Sequence, residues 1–394
     1  MLLGGIRYLL PVIDTAHKLG CHVITVDYIP DNIAHGYSDE YHNVSILDQQ
    51  AVLNLAQDLK IDGIMSFGVD PGVITAAYVQ EKMGLPSQGS YESIYILQNK
   101  DKFRAFLSEH NFNVPKSKCY TTVKTALNDT FEYPIIVKPT DSAGSKGVTR
   151  VNNRLGLEYA VKHAFDNSHC GKIIIEDFIE KDGCSTDSDC FSINGKLAFV
   201  SYSAQRFDEK AANPFTPSAF SWPSTMTKSQ ENELTLELQR LLDLLHMQTS
   251  LYNVEARIGK NGKPYLMEVS PRGGGNRLAE MIRYSTGVDL IEAAVLSAIG
   301  EELPPIRAAA YKGYWAEIIL HADQNGVFDE LLINKAMYNA QIIEKDLWVS
   351  KGDAVSSFNG ANDTIGTLVV KFEKQKNLYN ALSHVEDWIK IIVI

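Results

Sequence analysis

No run in this sequence approaches the ~20 apolar residues that a bilayer crossing needs. The start, MLLGGIRYLLP, has neither the charged n-region nor the cleavage site of a secretory leader. Dense basic clusters are also missing. The 37 Lys and Arg are outnumbered by 48 Asp and Glu, giving a net charge of −11. That balance argues against nucleic acid and anionic membranes as partners. Cysteine is scarce, with five in 394 residues. Cys184 and Cys190 are the closest pair, and no CxxC or paired histidine supports zinc. The expectation is reduced thiols in the cytoplasm. GxGxxG is absent, so Gly4 and Gly5 read as a tight turn rather than a dinucleotide site, and the Walker spacing GxxxxGK[ST] is absent too. No Ser-His-Asp or Cys-His arrangement offers a nucleophile.

What is present is a long globular chain, 45% hydrophobic, enough for two or three domains. Over residues 1–95, strand-like runs ("VITVDY", "GIMSFGV") alternate with segments of helical apolar spacing ("LLPVIDTAHKLG", "QAVLNLAQDLK"). That alternation predicts a Rossmann-like parallel sheet with crossover helices. Residues 96–304 mix helices and strands, among them "NKDKFRAFLSEHN", "YPIIVKP", "GVTRV", "KIIIEDFI" and the long helix "QENELTLELQRLLDLLH". Residues 203–225, rich in Pro, Ser and Phe, read as an irregular surface loop. Pro304-Pro305 marks a boundary, and residues 305–394 read as a small, mainly β domain with a late helix.

The chemistry gathers in "YNVEARIGKNGKPYLMEVS", residues 252–270. Asn261-Gly262 between apolar runs predicts a hairpin with a two-residue turn. Lys260 then faces Lys263, Glu255 faces Glu268 on a non-hydrogen-bonded rung, and Asn253 faces Ser270. Pro264 falls where its missing N–H costs nothing. Two facing carboxylates repel. One could be protonated, a cation such as Arg257 on the same face could sit between them, or a divalent metal could bind both. Elsewhere, "PIIVKPTDSAGSKGV" sets Lys138 in a strand before a Gly/Ser-rich loop, a kind of loop that can lay N–H groups over phosphates. "IIIEDFIEKDG" ends an apolar strand on Glu176.

Taken in this order, the segments resemble the ATP-grasp superfamily, and in "RGGGNRLAEMIRYSTGVDL" its carboxylate–amine ligases, including L-amino-acid ligases and carbamoyl-phosphate-synthase-like proteins. The resemblance covers essentially the whole chain. It implies a multidomain α/β and α+β architecture: a domain preceding ATP-grasp (1–95), an ATP-grasp domain of two α+β subdomains (96–304) and a small closing domain (305–394). It implies ATP and Mg²⁺ or Mn²⁺ as cofactors, small-molecule carboxylate and amine substrates, and a homodimer. Residue by residue, it implies that Lys102 and Lys138 neutralise phosphates, with Gly144, Ser145 and Gly147 covering them. Glu176 and the backbone of Asp177, Phe178 and Ile179 would take the adenine edge. Glu255 and Glu268 would hold the metal, and Arg272 would steady the transferring phosphoryl group. Two departures stand out. Ser270 occupies the place of the family's third metal ligand, an Asn, for which Asn253 on the facing strand is a partial replacement or simply a hydrogen-bond partner of Ser270. The ribose-binding acid is open among Glu180, Asp182 and Asp187. Arg277, just after the glycines, is read either as a clamp for an acceptor carboxylate or as a surface salt bridge. The substrates would be selected by the N-terminal domain, residues 203–225 and the stretch after Arg272. A phosphotransferase and a non-catalytic nucleotide binder are the rival readings.

Overall fold

The computed structural model describes every residue except Ala143, Ala308 and Ala309. The N-terminal parallel sheet has the order β3-β2-β1-β4, built from Leu2–Leu3 (β1), Ile24–Asp27 (β2), Glu40–Asn43 (β3) and Met65–Ser66 (β4). Leu10–Lys18 (α1), Gln49–Leu59 (α2) and Asp70–Met83 (α3) make the crossovers. This is the arrangement the alternating pattern predicts.

Tyr91–Gln98 (α4) and Lys100–Glu109 (α5) lead into an antiparallel sheet of order β5-β8-β6-β7. Its strands are Ser117–Tyr120 (β5), Ile135–Pro139 (β6), Thr149–Val151 (β7) and Ile173–Asp177 (β8), backed by Val123–Leu127 (α6) and Leu157–Asp166 (α7). A second antiparallel sheet runs β10-β9-β13-β14. It comprises Thr186–Ile193 (β9), Lys196–Phe199 (β10), Ser250–Ile258 (β13) and Pro264–Ser270 (β14). Along β13 the even-numbered side chains from Tyr252 to Ile258 are buried, joining the core formed with Lys228–Leu244 (α8), while Asn253, Glu255 and Arg257 stay on the more open face.

Residues 203–225 are not the irregular surface loop expected. They form Ala204–Phe207 (β11) and Pro217–Trp222 (β12), and Phe220 and Trp222 are fully buried. β12 pairs with Tyr314–His321 (β15), in a sheet of order β11-β12-β15-β19-β17 that also holds Gln341–Leu347 (β17) and Thr364–Phe372 (β19). The partner strand lies about a hundred residues on, which no local pattern reveals. One sheet therefore crosses the Pro304-Pro305 segment. Leu278–Thr286 (α9) and Leu290–Ile299 (α10) precede that segment, and Gly300, left-handed at φ 74°, ends α10. Gly326–Ile333 (β16), Ala354–Val355 (β18) and Ile389–Val393 (β20) form a small outer sheet near Gln375–Ser383 (α11) and Val385–Trp388 (α12). Among the described residues no helix is long and apolar enough to cross a membrane.

Candidate active site

Glu255 and Glu268 face each other across β13 and β14, and Asn253 faces Ser270. The route to that register differs from the expected one. The turn is a three-residue loop, Lys260 to Gly262. The Gly259 N–H donates to the Lys263 carbonyl (2.9 Å), and Gly262 takes φ +76°. This shifts the hairpin by one residue, so that Ile258 faces Pro264. A bulge at Met267 then shifts it back, and Ala256 faces Leu266 while Glu255 faces Glu268. Arg104 anchors the bulge by donating to the Met267 carbonyl (2.9 Å). The rung type is also corrected. The Ile258 carbonyl accepts from the Asp182 N–H on the far side (2.8 Å). Alternation along β13 then turns the backbone groups of Glu255 toward β14, making its rung a hydrogen-bonded one.

The two carboxylates have few partners. Each side chain is 35% exposed; the nearest cations are Lys100 at 3.4 Å from Glu268 and Arg257 at 3.9 Å from Glu255. Burial and the neighbouring Glu268 raise the Glu255 pKa, against the pull of Arg257, Lys138 and Lys100. Across β9, Asp187 lies directly opposite Glu255. Burial and Glu255 together push Asp187 well above the usual carboxylate range. Three acids thus form a row over three strands, against which Lys100 and Arg257 stand at 3.4 and 3.9 Å. This donor set, hard oxygens with unused lone pairs, fits a divalent cation such as Mg²⁺. Of the three candidates for a ribose acid, Asp187 belongs to this row. Glu180 pairs with Arg150 (2.7 Å), and Asp182 is held to β13 through its backbone.

Asn253 does not bond Ser270. Its Nδ2 donates to Asp187 (2.7 Å) and, longer, to Asp189 (3.4 Å). Ser270 is buried; it accepts from Gln98 (2.7 Å) and donates to Asp70 (3.1 Å). Arg272 forms a two-pronged pair with the same Asp70, Nε to Oδ1 and Nη2 to Oδ2, both 2.8 Å. Its Nη1 donates to the Gly273 carbonyl, leaving two of its five N–H groups unassigned. Asp70 opens α3, where the helix dipole favours an anion. Two of the glycines that follow, Gly273 and Gly274, are required by close packing. A Cβ on Gly273 would fall 2.1 Å from the Phe67 ring, and one on Gly274 would fall 2.6 Å from Leu278. The Gly274 N–H donates to Asp189 (2.9 Å), whose pKa burial raises to about 7.

Lys138 and Glu176 meet, as neighbouring strands allow. Fully buried Glu176 takes Lys138 at 2.7 Å and Arg104 at 2.7 Å. Burial would raise its pKa, but the two cations outweigh that and hold it at about 2. Burial lowers the pKa of Lys138, partly offset by Glu176. In the hinge segment, the Asp177 and Phe178 N–H groups already donate to Lys116 and Pro134 carbonyls (2.9 and 3.1 Å). The Phe178 ring carries Arg150 at 4.1 Å, and the Ile179 carbonyl accepts from Arg257 (3.4 Å).

Lys102 is exposed on α5 and is not brought to these groups. Lys100 is. Its ammonium reaches Glu268 and the Ser142 carbonyl (3.1 Å). Burial disfavours its charge, yet Glu268 and Asp70 outweigh that and raise its pKa. Residues 100 and 104 share a helix face, whereas residue 102 sits about 200° around from residue 100. The i,i+4 pair Lys100/Arg104 was the available signal. In the glycine loop, Ser145 (φ 59°) donates from Oγ to the Phe215 carbonyl (3.0 Å), and Asn213 reaches the Ser145 carbonyl (3.4 Å). A Cβ on Gly144 would meet open space, while on Gly147 (φ +72°) it would strike Asn167 and Pro139. Ala143, inside this loop, lies outside the described residues.

Arg277 is buried, not a surface residue. It bonds Glu280 (2.9 Å), Glu344 (2.8 Å) and Thr367 (3.2 Å).

Residues 131–280 match the family model of the ATP-grasp domain. The chain carries an ATP-grasp domain. All the acids and cations described above, apart from Asp70, Lys100, Lys102, Arg104, Lys116 and Glu344, lie within it. A carbamoyl phosphate synthase large chain from Thermoanaerobacter sp. (strain X514) is 30% identical over 278 residues, 68% of this chain and 24% of that protein. The chain thus spans about a quarter of the length of the curated relatives it matches. Among solved structures, an L-amino acid ligase from Bacillus licheniformis superposes with a TM-score of 0.82 at 20% identity, covering 100% of this chain and 98% of that one. Phosphoribosylglycinamide synthetase from Anaerococcus prevotii gives 0.75 at 21% identity, with 100% and 98% covered. The likeness of fold to these two structures therefore extends along the whole chain.

Proposed function

We propose that this protein is an ATP-dependent carboxylate–amine ligase. The observation that carries the reading is the Glu255–Glu268 pair, facing, a third exposed and paired loosely with Lys100 at 3.4 Å and Arg257 at 3.9 Å, beside Lys138 of the ATP-grasp domain. The likeness to an L-amino acid ligase over the full chain supports it. Glu255 and Glu268, with Asp187 beside them, would hold Mg²⁺ or Mn²⁺, which neutralises phosphate charge when bound. Ser270 and Asn253 are committed to other partners, so neither is assigned as a third ligand.

The chemistry balances without a protein nucleophile. A substrate carboxylate oxygen attacks the γ-phosphorus of ATP, the bond to the β-phosphate oxygen breaks, and ADP leaves with an acyl phosphate formed. A neutral amine then attacks the acyl carbon. Phosphate departs with the bonding pair, the nitrogen loses a proton to solvent, and the amide remains. Lys100 and Lys138 stabilise the charge on the phosphoryl oxygens, and the loop around Gly144, Ser145 and Gly147 covers them. The adenine edge falls to the Ile179 N–H and the hinge carbonyls, because the Asp177 and Phe178 N–H groups are already paired. Glu176 acts by holding Lys138 in place. The two unassigned N–H groups of Arg272 face the transferring group. We place the domain limits at 1–95, 96–304 and 305–394, with β11 and β12 reaching across to the third, and the protein in the cytoplasm as a homodimer.

Incubation with ATP, Mg²⁺ and pairs drawn from an amino-acid panel tests this. Phosphate released only when a carboxylate and an amine are both present establishes a ligase. Phosphate retained on one substrate establishes a phosphotransferase. Thermal stabilisation by nucleotide without any turnover establishes a binder.

A further inference from the structure

Glu317 is fully buried on β15, and among the described residues neither of its carboxylate oxygens has a hydrogen-bond partner. Buried carboxylates without partners are rare because desolvation penalises them heavily. The sheet register fixes its surroundings. Phe220 of β12 faces Glu317 on one side and Val369 of β19 on the other; beyond Val369 comes Glu344 of β17. Facing residues project to the same side of a sheet, so Glu317 and Glu344 share a face two strands, or about 10 Å, apart. Thr367, also on that face, accepts Arg277, and Glu344 accepts the same guanidinium. Arg277 is thus already occupied by Glu344 and Glu280, and Glu317 adds a third carboxylate to one cation. Gln205 of β11 faces Phe220 on the same rung and donates to Asp187 (3.4 Å), which faces Glu255. Burial pushes the Glu317 carboxyl well above the usual carboxylate range, so it takes its charge only beside a cation, and Arg277 is already shared by Glu280 and Glu344.

The walls indicate what kind of cation. Phe220, Trp222 and Trp315 pack in one cluster on this face. Trp222 faces Trp315 as Phe220 faces Glu317. The Trp222 Nε1–H is buried and has no acceptor among the described residues. An acid within an aromatic wall suits an organic ammonium ion, through an ion pair and cation–π contact. A hydrated metal ion would find too few oxygen ligands here.

We propose that Glu317 anchors the ammonium group of an amino-acid substrate, and that this amino acid is the component whose carboxylate is activated. The inference rests on the ligase reading and adds the substrate class to it. An ammonium held by a carboxylate stays protonated and so cannot be the attacking nitrogen. Gln205 and Asp187 connect the rung of Glu317 to the Glu255–Glu268 pair, which puts the other end of such a molecule toward the phosphates.

The test uses the full chain with Mg²⁺ and a non-hydrolysable ATP analogue, titrated calorimetrically with the twenty proteinogenic amino acids. The des-amino acids of those that bind are titrated next; for phenylalanine this is 3-phenylpropionate. In parallel, ATP and hydroxylamine trap any acyl phosphate as a hydroxamate. The expected result is at least tenfold tighter binding of the amino acid than of its des-amino counterpart. Glu317→Gln should raise the amino acid's KM at least a hundredfold while leaving the KM for ATP unchanged. Equal binding of both acids by the native protein, no binding of any amino acid, or an unchanged KM in Glu317→Gln overturns the proposal. The first two do not depend on any variant folding. If Mg²⁺-ATP binds and an amino acid binds in preference to its des-amino form, but no hydroxamate or amide ever appears, the ligase reading falls and the ammonium site stands.

Discussion

Two clusters of charge lie close together and obey opposite rules. At the junction of β6, β8 and α5, Glu176, Lys138 and Arg104 are buried and paired at 2.7 Å. On β13 and β14, Glu255 and Glu268 are a third exposed, and their nearest cations stand at 3.4 and 3.9 Å. The first cluster is tied together by ion pairs within the protein; its energetics are those of a buried ion network, in which each partner is needed because the others cannot be resolvated. The second is incomplete and becomes neutral only with something bound. The contrast separates charges that hold the fold from charges that await a ligand. Lys138 belongs to both, since Glu176 fixes it and Glu255 feels its charge.

The largest expected effect is on turnover. Glu268→Gln keeps shape and loses only charge, so metal-dependent activity should fall on the order of a thousandfold or more, several kcal/mol of transition-state stabilisation. Its melting temperature should stay close to native. Activity near the native level would mean that the open pair holds no metal.

Glu176→Gln should do the reverse. It leaves Arg104 and Lys138 buried with a neutral partner, at a cost of about 3–5 kcal/mol by chemical denaturation. The pH dependence follows. The folded pKa of Glu176 is about 2, below the unfolded value of about 4.3. Its contribution is therefore complete above pH ~4.3 and disappears as pH falls toward 2. A variant as stable as the native protein would erase the distinction between the clusters.

Lysines sharpen the comparison at smaller scale. Lys138→Ala and Lys100→Ala should each weaken ATP binding by roughly 1.5–3 kcal/mol, the size of a charge-assisted contact. Lys102→Ala should leave the ATP dissociation constant unchanged in calorimetry. An equal loss from Lys102→Ala would show that α5 presents a different face to the nucleotide.

A further test concerns Asp189, which sits between the clusters in character: buried like Glu176, short of partners like Glu255. Burial raises its folded pKa to about 7, well above the unfolded value of about 3.9. The folded state then binds the proton more tightly, so this group lowers stability as pH rises from ~4 to ~7. Asp189→Asn should melt with a flatter pH profile over that window, the gap from the native protein widening toward pH 7. Parallel profiles would refute the assignment.

Much of the fold is local in origin and was legible. The alternating apolar patterns of residues 1–95, the capped long helix α8 and the Gly300 stop all follow from short-range rules. The facing of Glu255 and Glu268 was also legible, although through two shifts that cancel. The Asn-Gly turn is one residue longer than a two-residue hairpin, and the Met267 bulge restores the register. Neither shift has a strong local signature, because the bulge is held by Arg104 from a helix more than 160 residues earlier.

What the sequence by itself determined, then, is the order of elements, their faces and the kinds of residue at the site, since these depend on side-chain periodicity and turn chemistry within a few residues. Only the tertiary structure decided which charges meet. Asp70 finds Arg272 across 202 positions, and Lys100 rather than Lys102 turns to Glu268 because α5 docks by its Phe103 and Leu107 face. β12 leaves the expected loop to pair with β15 and sets Phe220 opposite Glu317. Pairings of this kind depend on how distant surfaces pack, and electrostatics between buried groups follows from that distance and burial alone.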